Sequence, residues 1–153
     1  KTYRYTICTA AVQLPLQRLY ATHVPCPLDA AQIRAALARV IGSHDFSSFE
    51  GTGSRDREAE GFAGRGAVRT LYRAEFVALA TQPDTWFFRF TGNGFLRHMV
   101  RNLIGTLLLV GKGKIAPDEF AAILQHRDRT RAGATAPAHG LLLEQVLYEP
   151  LDP

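Results

Sequence analysis

Thr85-Trp86-Phe87-Phe88-Arg89-Phe90-Thr91, closed by Gly92-Asn93-Gly94 and followed by Phe95-Leu96-Arg97-His98-Met99-Val100-Arg101-Asn102, changes its hydrophobic period once. The first part is rich in aromatic and β-branched residues and reads as a strand. From Phe95 the pairs Phe95-Leu96, Met99-Val100, Leu103-Ile104 and Leu107-Leu108 alternate with Arg97-His98, Arg101-Asn102 and Gly105-Thr106. That spacing predicts an amphipathic helix from Phe95 onward, apolar on one face and strongly basic at the start of the other. Upstream, Val68 to Ala80 is a second β-patterned run. Thr81-Gln82-Pro83-Asp84 has the composition of a tight connection, so the two runs form an antiparallel hairpin.

Outward from this strand-to-helix junction the elements fall into place on both sides. Tyr3 to Thr9 alternates apolar with polar residues as a half-buried strand should, and Pro15 interrupts it. Pro27-Leu28-Asp29 signals a helix start, with Asp29 as the cap and Ile33, Ala36, Leu37, Val40 and Ile41 at helical spacing. Gly42 is expected to end that helix. Pro117-Asp118-Glu119 opens another helix, its carboxylates suited to the positive end of the helix dipole, with Phe120, Ile123 and Leu124 facing inward. Leu141 to Tyr148 is the last strand. The glycine-rich, charged stretch from Glu50 to Gly66 has almost nothing to bury and reads as a long mobile loop. The order strand, helix, hairpin, helix, helix, strand defines an α+β domain, a mostly antiparallel sheet with helices packed on one face and the other face free for a ligand or partner.

The chain has 153 residues, 46% of them hydrophobic, which suits one compact domain with a real core and not two ordinary ones. It starts at Lys1 almost directly in a strand, which raises the expectation of a fragment. No apolar run approaches the roughly 20 residues that span a bilayer, and no signal-peptide pattern is seen, so a soluble chain with no membrane partner is expected. The two cysteines, Cys8 and Cys26, lack metal-ligand spacing and read as free thiols in a reducing compartment, the cytoplasm. Net charge is +4, carried by 15 arginines against three lysines, and arginine's planar fork is the side chain best fitted to phosphate. A polyanionic partner fits that balance.

Arg97 and Arg101 lie four apart at the start of the predicted helix, where they form either an anion site or a merely solvated face. No nucleotide loop competes with this site. The glycines do not complete G-x-G-x-x-G, and Gly111-Lys112-Gly113-Lys114 lacks the frame of a Walker A loop. Tyr3 and Tyr5 share a face of the first strand and either pack in the core or present a phenol to a base. His44-Asp45 is a structural pair followed by the packing anchors Phe46 and Phe49. Arg127, Arg129 and Arg131 alternate along a loop in a way that can track a phosphate backbone. No metal constellation is present.

Five segments occur in one order: Lys1-Thr2-Tyr3-Arg4-Tyr5, His44-Asp45-Phe46-Ser47-Ser48-Phe49, Asn93 to Asn102, Asp128-Arg129-Thr130, and Ala134 to Leu141. With them the chain resembles the C-terminal half of TruA-type tRNA pseudouridine synthases, essentially from Lys1 to Tyr148. The resemblance implies isomerisation of uridine to pseudouridine in the tRNA anticodon stem-loop, without a cofactor, by enzymes that are usually homodimers. It implies a nucleophilic aspartate in an Arg-Thr-Asp-x-Gly motif, which attacks the nucleoside so that the base detaches, turns and rejoins through carbon. Here Arg69-Thr70 is followed by Leu71 and Arg129-Thr130 by Arg131, so that motif is absent, and the half that carries it is expected to be missing from this chain. What carries over is the opposing wall: Tyr3 against the target base, Arg101 as the active-site arginine, and Leu141 and Leu143 lining the pocket. Arg97, His98, Arg127 and Arg129 are the expected RNA contacts. A structured-RNA-binding module without catalysis is the alternative, and a protein-interaction domain with an incidental positive surface is a third. Alone, the chain is expected to be catalytically silent and to self-associate.

Overall fold

The computed structural model describes residues 1–51 and 66–148; most of the predicted loop between Glu50 and Gly66 lies outside them. Among the described residues six strands form one mixed sheet: β1 (Thr2–Cys8), β2 (Thr22–His23), β3 (Gly42–Asp45), β4 (Val68–Ala78), β5 (Thr85–Gly92) and β6 (Leu141–Gln145). Three α-helices among the described residues accompany it, α1 (Ala30–Ala38), α2 (Met99–Gly111) and α3 (Pro117–His126). The sheet order is β2-β1-β5-β4-β3, and only the short β1–β2 pairing is parallel. β6 pairs antiparallel with the Thr2–Tyr5 end of β1, while β2 takes the Ile7–Cys8 end. Two strands therefore share one edge of β1 and diverge around Thr6.

The predicted hairpin is present as β4 and β5, in register from Ala78 opposite Trp86 to Leu71 opposite Gly92 with one irregularity near Arg73. Gly92 is needed where β4 and β5 close: a Cβ there would stand 2.7 Å from the Thr70 carbonyl oxygen. The expected helix start at Phe95 is corrected to Met99, because His98 takes a left-handed conformation (φ 61°) that a right-handed helix cannot continue through. Residues 95–98 instead make a turn in which the Met99 amide donates to the Leu96 carbonyl at 3.1 Å.

α1 starts as expected, with the Asp29 carboxylate accepting from the Ala31 and Gln32 amides at 3.0 Å each. It ends at Ala38, earlier than the apolar spacing suggested, and Ile41 is exposed. Gly42 (φ 103°) then turns the chain into β3, which pairs with β4 from Gly42 opposite Leu71 to Asp45 opposite Val68. β2 and β3 are too short and too polar to show a period-2 pattern, which is why neither is evident in the sequence. α3 has Pro117 in its first turn and buries Phe120, Ile123 and Leu124 as expected. β6 stops at Gln145 rather than continuing to Tyr148.

The three helices cover one face of the sheet. Tyr5, Ile7, Phe76, Phe88 and Phe90 from that face join Ile33, Leu37, Met99, Leu103, Leu107 and Phe120 in one buried cluster. Each such side chain contributes about 1.5 to 3 kcal/mol on burial. Helices α1 and α2 cross closely at Gly111, where a Cβ would meet Ile33 Cδ1 at 2.6 Å. The opposite face carries an ion-pair ladder. Arg73 reaches Glu75 at 2.7 Å, Arg89 Nε reaches Glu144 at 2.8 Å, and Arg4 reaches Glu144 at 3.5 Å. No helix among the described residues is long and apolar enough to cross a membrane.

A candidate active-site wall at the rim of the sheet

Tyr3 and Tyr5 share the helix-covered face of β1 and have opposite surroundings. Tyr5 is fully buried; its hydroxyl donates to the Pro137 carbonyl at 2.8 Å and lies 2.6 Å from Thr22 Oγ1, which must supply the proton of that second bond. Burial, which opposes the phenolate, holds its pKa above the usual tyrosine value against the smaller pull of the Thr22 hydrogen bond and the Arg101 charge. Tyr5 is thus a core residue. Tyr3, half-buried, lies between Phe90 of β5 and Leu143 of β6 in the register. Its ring meets Phe95 edge to face at 5.0 Å between centroids, and its hydroxyl has no hydrogen-bond partner among the described residues. The phenol is held by its body and open at its tip.

Arg101 stands in the first turn of α2 and is half-buried. Two hydrogen bonds tie it to Ala136: Arg101 Nε donates to the Ala136 carbonyl at 2.7 Å, and the Ala136 amide donates to the Arg101 carbonyl at 3.1 Å. The two terminal Nη groups have no partner among the described residues. A guanidinium anchored through Nε with its fork unoccupied can receive a carboxylate or a phosphate with two donors. The same turn of chain, Ala136-Pro137, contacts both Arg101 and Tyr5, so α2, β1 and the segment leading to β6 are joined at one point.

Leu141 and Leu143 sit opposite Tyr5 and Tyr3, respectively, in the β1–β6 register, and Leu143 keeps 47% of its surface exposed. Arg97 is exposed; its carbonyl accepts from the Gly51 amide at 2.8 Å and its side chain pairs with nothing among the described residues. His98, also exposed, sits where a Cβ on Gly51 would come within 2.8 Å of its Nδ1. Desolvation, then the charges of Arg101 and Arg97, hold its pKa below the usual imidazole value. Tyr3, Arg101, Leu141 and Leu143 are therefore linked through β1, β6 and the Ala136-Pro137 turn, with Arg97 and His98 one turn of chain before Arg101.

The other two predicted contacts are elsewhere. Arg127, left-handed at φ 56° beyond the end of α3, is exposed and pairs with Asp45 at 3.4 Å. Arg129 points inward: it donates to Asn102 Oδ1 at 3.1 Å, Thr135 Oγ1 at 3.2 Å and the Ala132 carbonyl at 3.3 Å. Three parts of the site are not evident from sequence pattern: the edge contact of Phe95, the Pro137 carbonyl, and the buried amide of Asn102. Only the three-dimensional turn at 95–98 brings Phe95 beside Tyr3, and backbone carbonyls carry no residue signature.

Residues 36–149 match the family model for tRNA pseudouridine synthase. The chain belongs to that family, and its domain is of the TruA type. It is 48% identical to tRNA pseudouridine synthase A 1 of Desulfotalea psychrophila over 97% of this chain and 57% of that protein. It is 42% identical to tRNA pseudouridine synthase A 1 of Bacillus cereus and 38% identical to tRNA pseudouridine synthase A of Streptococcus equi, each over 97% of this chain and 56% of the relative. The chain thus spans little more than half the length of these curated relatives.

Proposed function

We propose that this chain is the C-terminal half of the catalytic domain of a tRNA pseudouridine synthase acting on anticodon stem-loop uridines. It supplies the wall that faces a nucleophilic aspartate carried on the other half. The observation that carries the proposal is Arg101, anchored at Nε with both Nη groups open, in a chain that holds no Arg-Thr-Asp motif of its own. An arginine so placed keeps a partly buried carboxylate ionised and oriented, which a nucleophile requires. Tyr3, braced by Phe95, lies against the uracil, and once the base has detached, turned and bonded to the sugar through C5, its phenolic oxygen relays the proton, accepting the one that leaves C5 as it passes its own on toward N1, which gains one. Leu141 and Leu143 exclude water from the detached base. Extruding the uridine from its stack costs a few kcal/mol, which stacking and phosphate contacts must offset. The exposed side chains of Arg97, His98 and Arg127 are assigned to those contacts, the two arginines as cations and His98 as a neutral hydrogen-bonding ring. No cofactor is needed, since the C1′–N1 bond is exchanged for C1′–C5 and the proton lost from C5 is balanced by one gained at N1, with no net oxidation or reduction.

The test uses the enzyme that contains this chain together with an aspartate-bearing half, assayed for tritium release from C5-labelled uridine in tRNA. Wild type should release tritium, and Arg101→Ala should lose at least about 100-fold in rate with tRNA still bound. Tight tRNA binding by the wild type with no tritium release would instead establish the non-catalytic RNA-binding module.

A further inference from the structure

Arg129 and Asn102 lie behind Arg101, in contact with each other and with the 132–135 segment. Asn102 is 1% exposed. Its Nδ2 donates to the Phe49 carbonyl at 2.8 Å, and its Oδ1 accepts from Thr135 Oγ1 at 2.6 Å and from Arg129 Nη2 at 3.1 Å. The donors on one side and the carbonyl on the other settle which end of the amide is oxygen. Arg129 also donates to Thr135 Oγ1 and the Ala132 carbonyl, so it grips the 132–135 segment at two places. The segment is drawn onto α2 at a third point, where the Gly133 amide donates to Thr106 Oγ1 at 2.9 Å. The approach is so close that a Cβ on Gly105 would fall 1.7 Å from the Ala134 carbonyl oxygen. The next residue, Ala136, is the one that holds Arg101 through both its carbonyl and its amide.

We infer that Arg129, Asn102 and Thr135 form a positioning clamp whose output is the direction of the Arg101 guanidinium, and that Arg129 serves the reaction through this clamp and not through a phosphate. The inference rests on the proposed role of Arg101. Both Nη groups of Arg129 are engaged within the fold, whereas a phosphate-binding arginine presents its fork to solvent. Loss of the clamp lets the Ala136 carbonyl shift, and a small misplacement of a guanidinium that must meet a carboxylate with two donors lowers turnover far more than binding. Asn102 is out of reach of RNA, being 1% exposed with both acceptor positions of Oδ1 taken. Thr135 is the adjustable member, because its side chain reaches the clamp from an exposed position.

The experiment compares wild type, Arg129→Ala, Thr135→Val and Thr135→Ser in the enzyme that contains this chain and an aspartate-bearing half. It reads kcat and KM for tritium release, tRNA Kd at several salt concentrations, and the melting temperature. The clamp predicts that Arg129→Ala and Thr135→Val lose about 10- to 100-fold in kcat while Kd and its salt slope stay at wild-type values. Thr135→Ser, which restores the hydroxyl, should recover kcat. A weakened Kd with a salt slope smaller by about one in Arg129→Ala, at unchanged kcat, would overturn the inference and return Arg129 to the phosphate backbone. So would wild-type kcat in Thr135→Val, or a fall in melting temperature that Thr135→Ser fails to separate from the fall in kcat. A wild-type enzyme that releases no tritium defeats the catalytic reading itself, an outcome distinct from all of these.

Discussion

At the scale of single residues, the two tyrosines of β1 show how far identity and spacing reach. Period-2 alternation put Tyr3 and Tyr5 on one face, and the register agrees, with Tyr3 opposite Phe90 and Tyr5 opposite Phe88. It could not say that one phenol would be sealed by Thr22 and Pro137 and the other left open beside Phe95. Removing only the Tyr3 hydroxyl should keep its packing on Phe95 and its stacking on a base. Tyr3→Phe is therefore expected to hold tRNA affinity within about twofold and to lose tritium release by about 100-fold or more. Unchanged release would leave Tyr3 as a stacking platform. His98 offers a second test. Its folded-state pKa lies below the unfolded value, so the neutral ring is favoured by the fold. The stability linked to it is complete above about pH 6.5 and falls as the pH drops through that value toward the folded pKa. His98→Asn removes the titration and puts a residue tolerant of left-handed backbone at φ 61°. Its melting temperature should fall less than that of wild type between neutral and mildly acidic pH; an equal fall would place the acid sensitivity in other groups.

At the scale of elements, the strongly patterned segments were legible and the short ones were not. The β4–β5 hairpin, β1 and α3 follow from periodicity and caps, because each carries enough apolar residues for one face to declare itself. β2 has two residues and β3 has Gly-Ser-His-Asp; their pairing is set by the neighbours they meet, not by their own propensity. The start of α2 departs from the sequence periodicity for a related reason. The apolar pairs continue smoothly through Phe95 and Leu96, and only the left-handed turn at His98, imposed by the path back from β5, breaks the helix. Packing between elements gives a sharp prediction at Gly105. Alanine there would drive the 132–137 segment off α2 and should destabilise the domain by about 2 kcal/mol or more, while the same change at Gly113, which faces open space, is limited to the strain of φ 67°. Equal melting temperatures for the two variants would contradict the close approach. The sheet's open face supplies another. The hydrogen bonds from Arg89 hold Glu144 below the usual carboxylate pKa, so its contribution is present above about 4.5 and lost as the pH falls through the depressed folded value. Glu144→Gln should cost about 1 kcal/mol near neutrality, narrowing to nothing in acid, as read by chemical denaturation at both pH values.

At the scale of the whole molecule, the family was legible because its motifs are residue strings, Phe-Leu-Arg-His-Met-Val-Arg-Asn above all, whereas the clamp behind Arg101 is a matter of three-dimensional contact. The same scale decides what the chain does by itself. Under the proposed function its open phenol and open guanidinium fork face a carboxylate from an Arg-Thr-Asp motif that this sequence does not contain. Electrostatic attraction to tRNA needs only the cations, and catalysis needs the carboxylate; the two properties should therefore separate. The isolated chain is expected to bind tRNA weakly, with an affinity that drops steeply as salt rises, and to release no tritium from C5-labelled uridine. Supplying an aspartate-bearing half of a TruA-type synthase as a second polypeptide should restore release, and should fail to restore it with Arg101→Ala, because the added carboxylate would then meet no cation. The isolated chain's exposed Leu14, Leu16, Leu19 and Tyr20 form an apolar stretch that favours self-association, which sedimentation over a range of concentrations will reveal. Self-association without any complementation would mean that this apolar stretch drives pairing of like chains while the catalytic halves require a covalent connection to meet. Tritium release by the isolated chain alone would mean that the nucleophile is one of its own seven aspartates, none of which follows Arg-Thr, and that the division of labour argued from Arg101 is wrong.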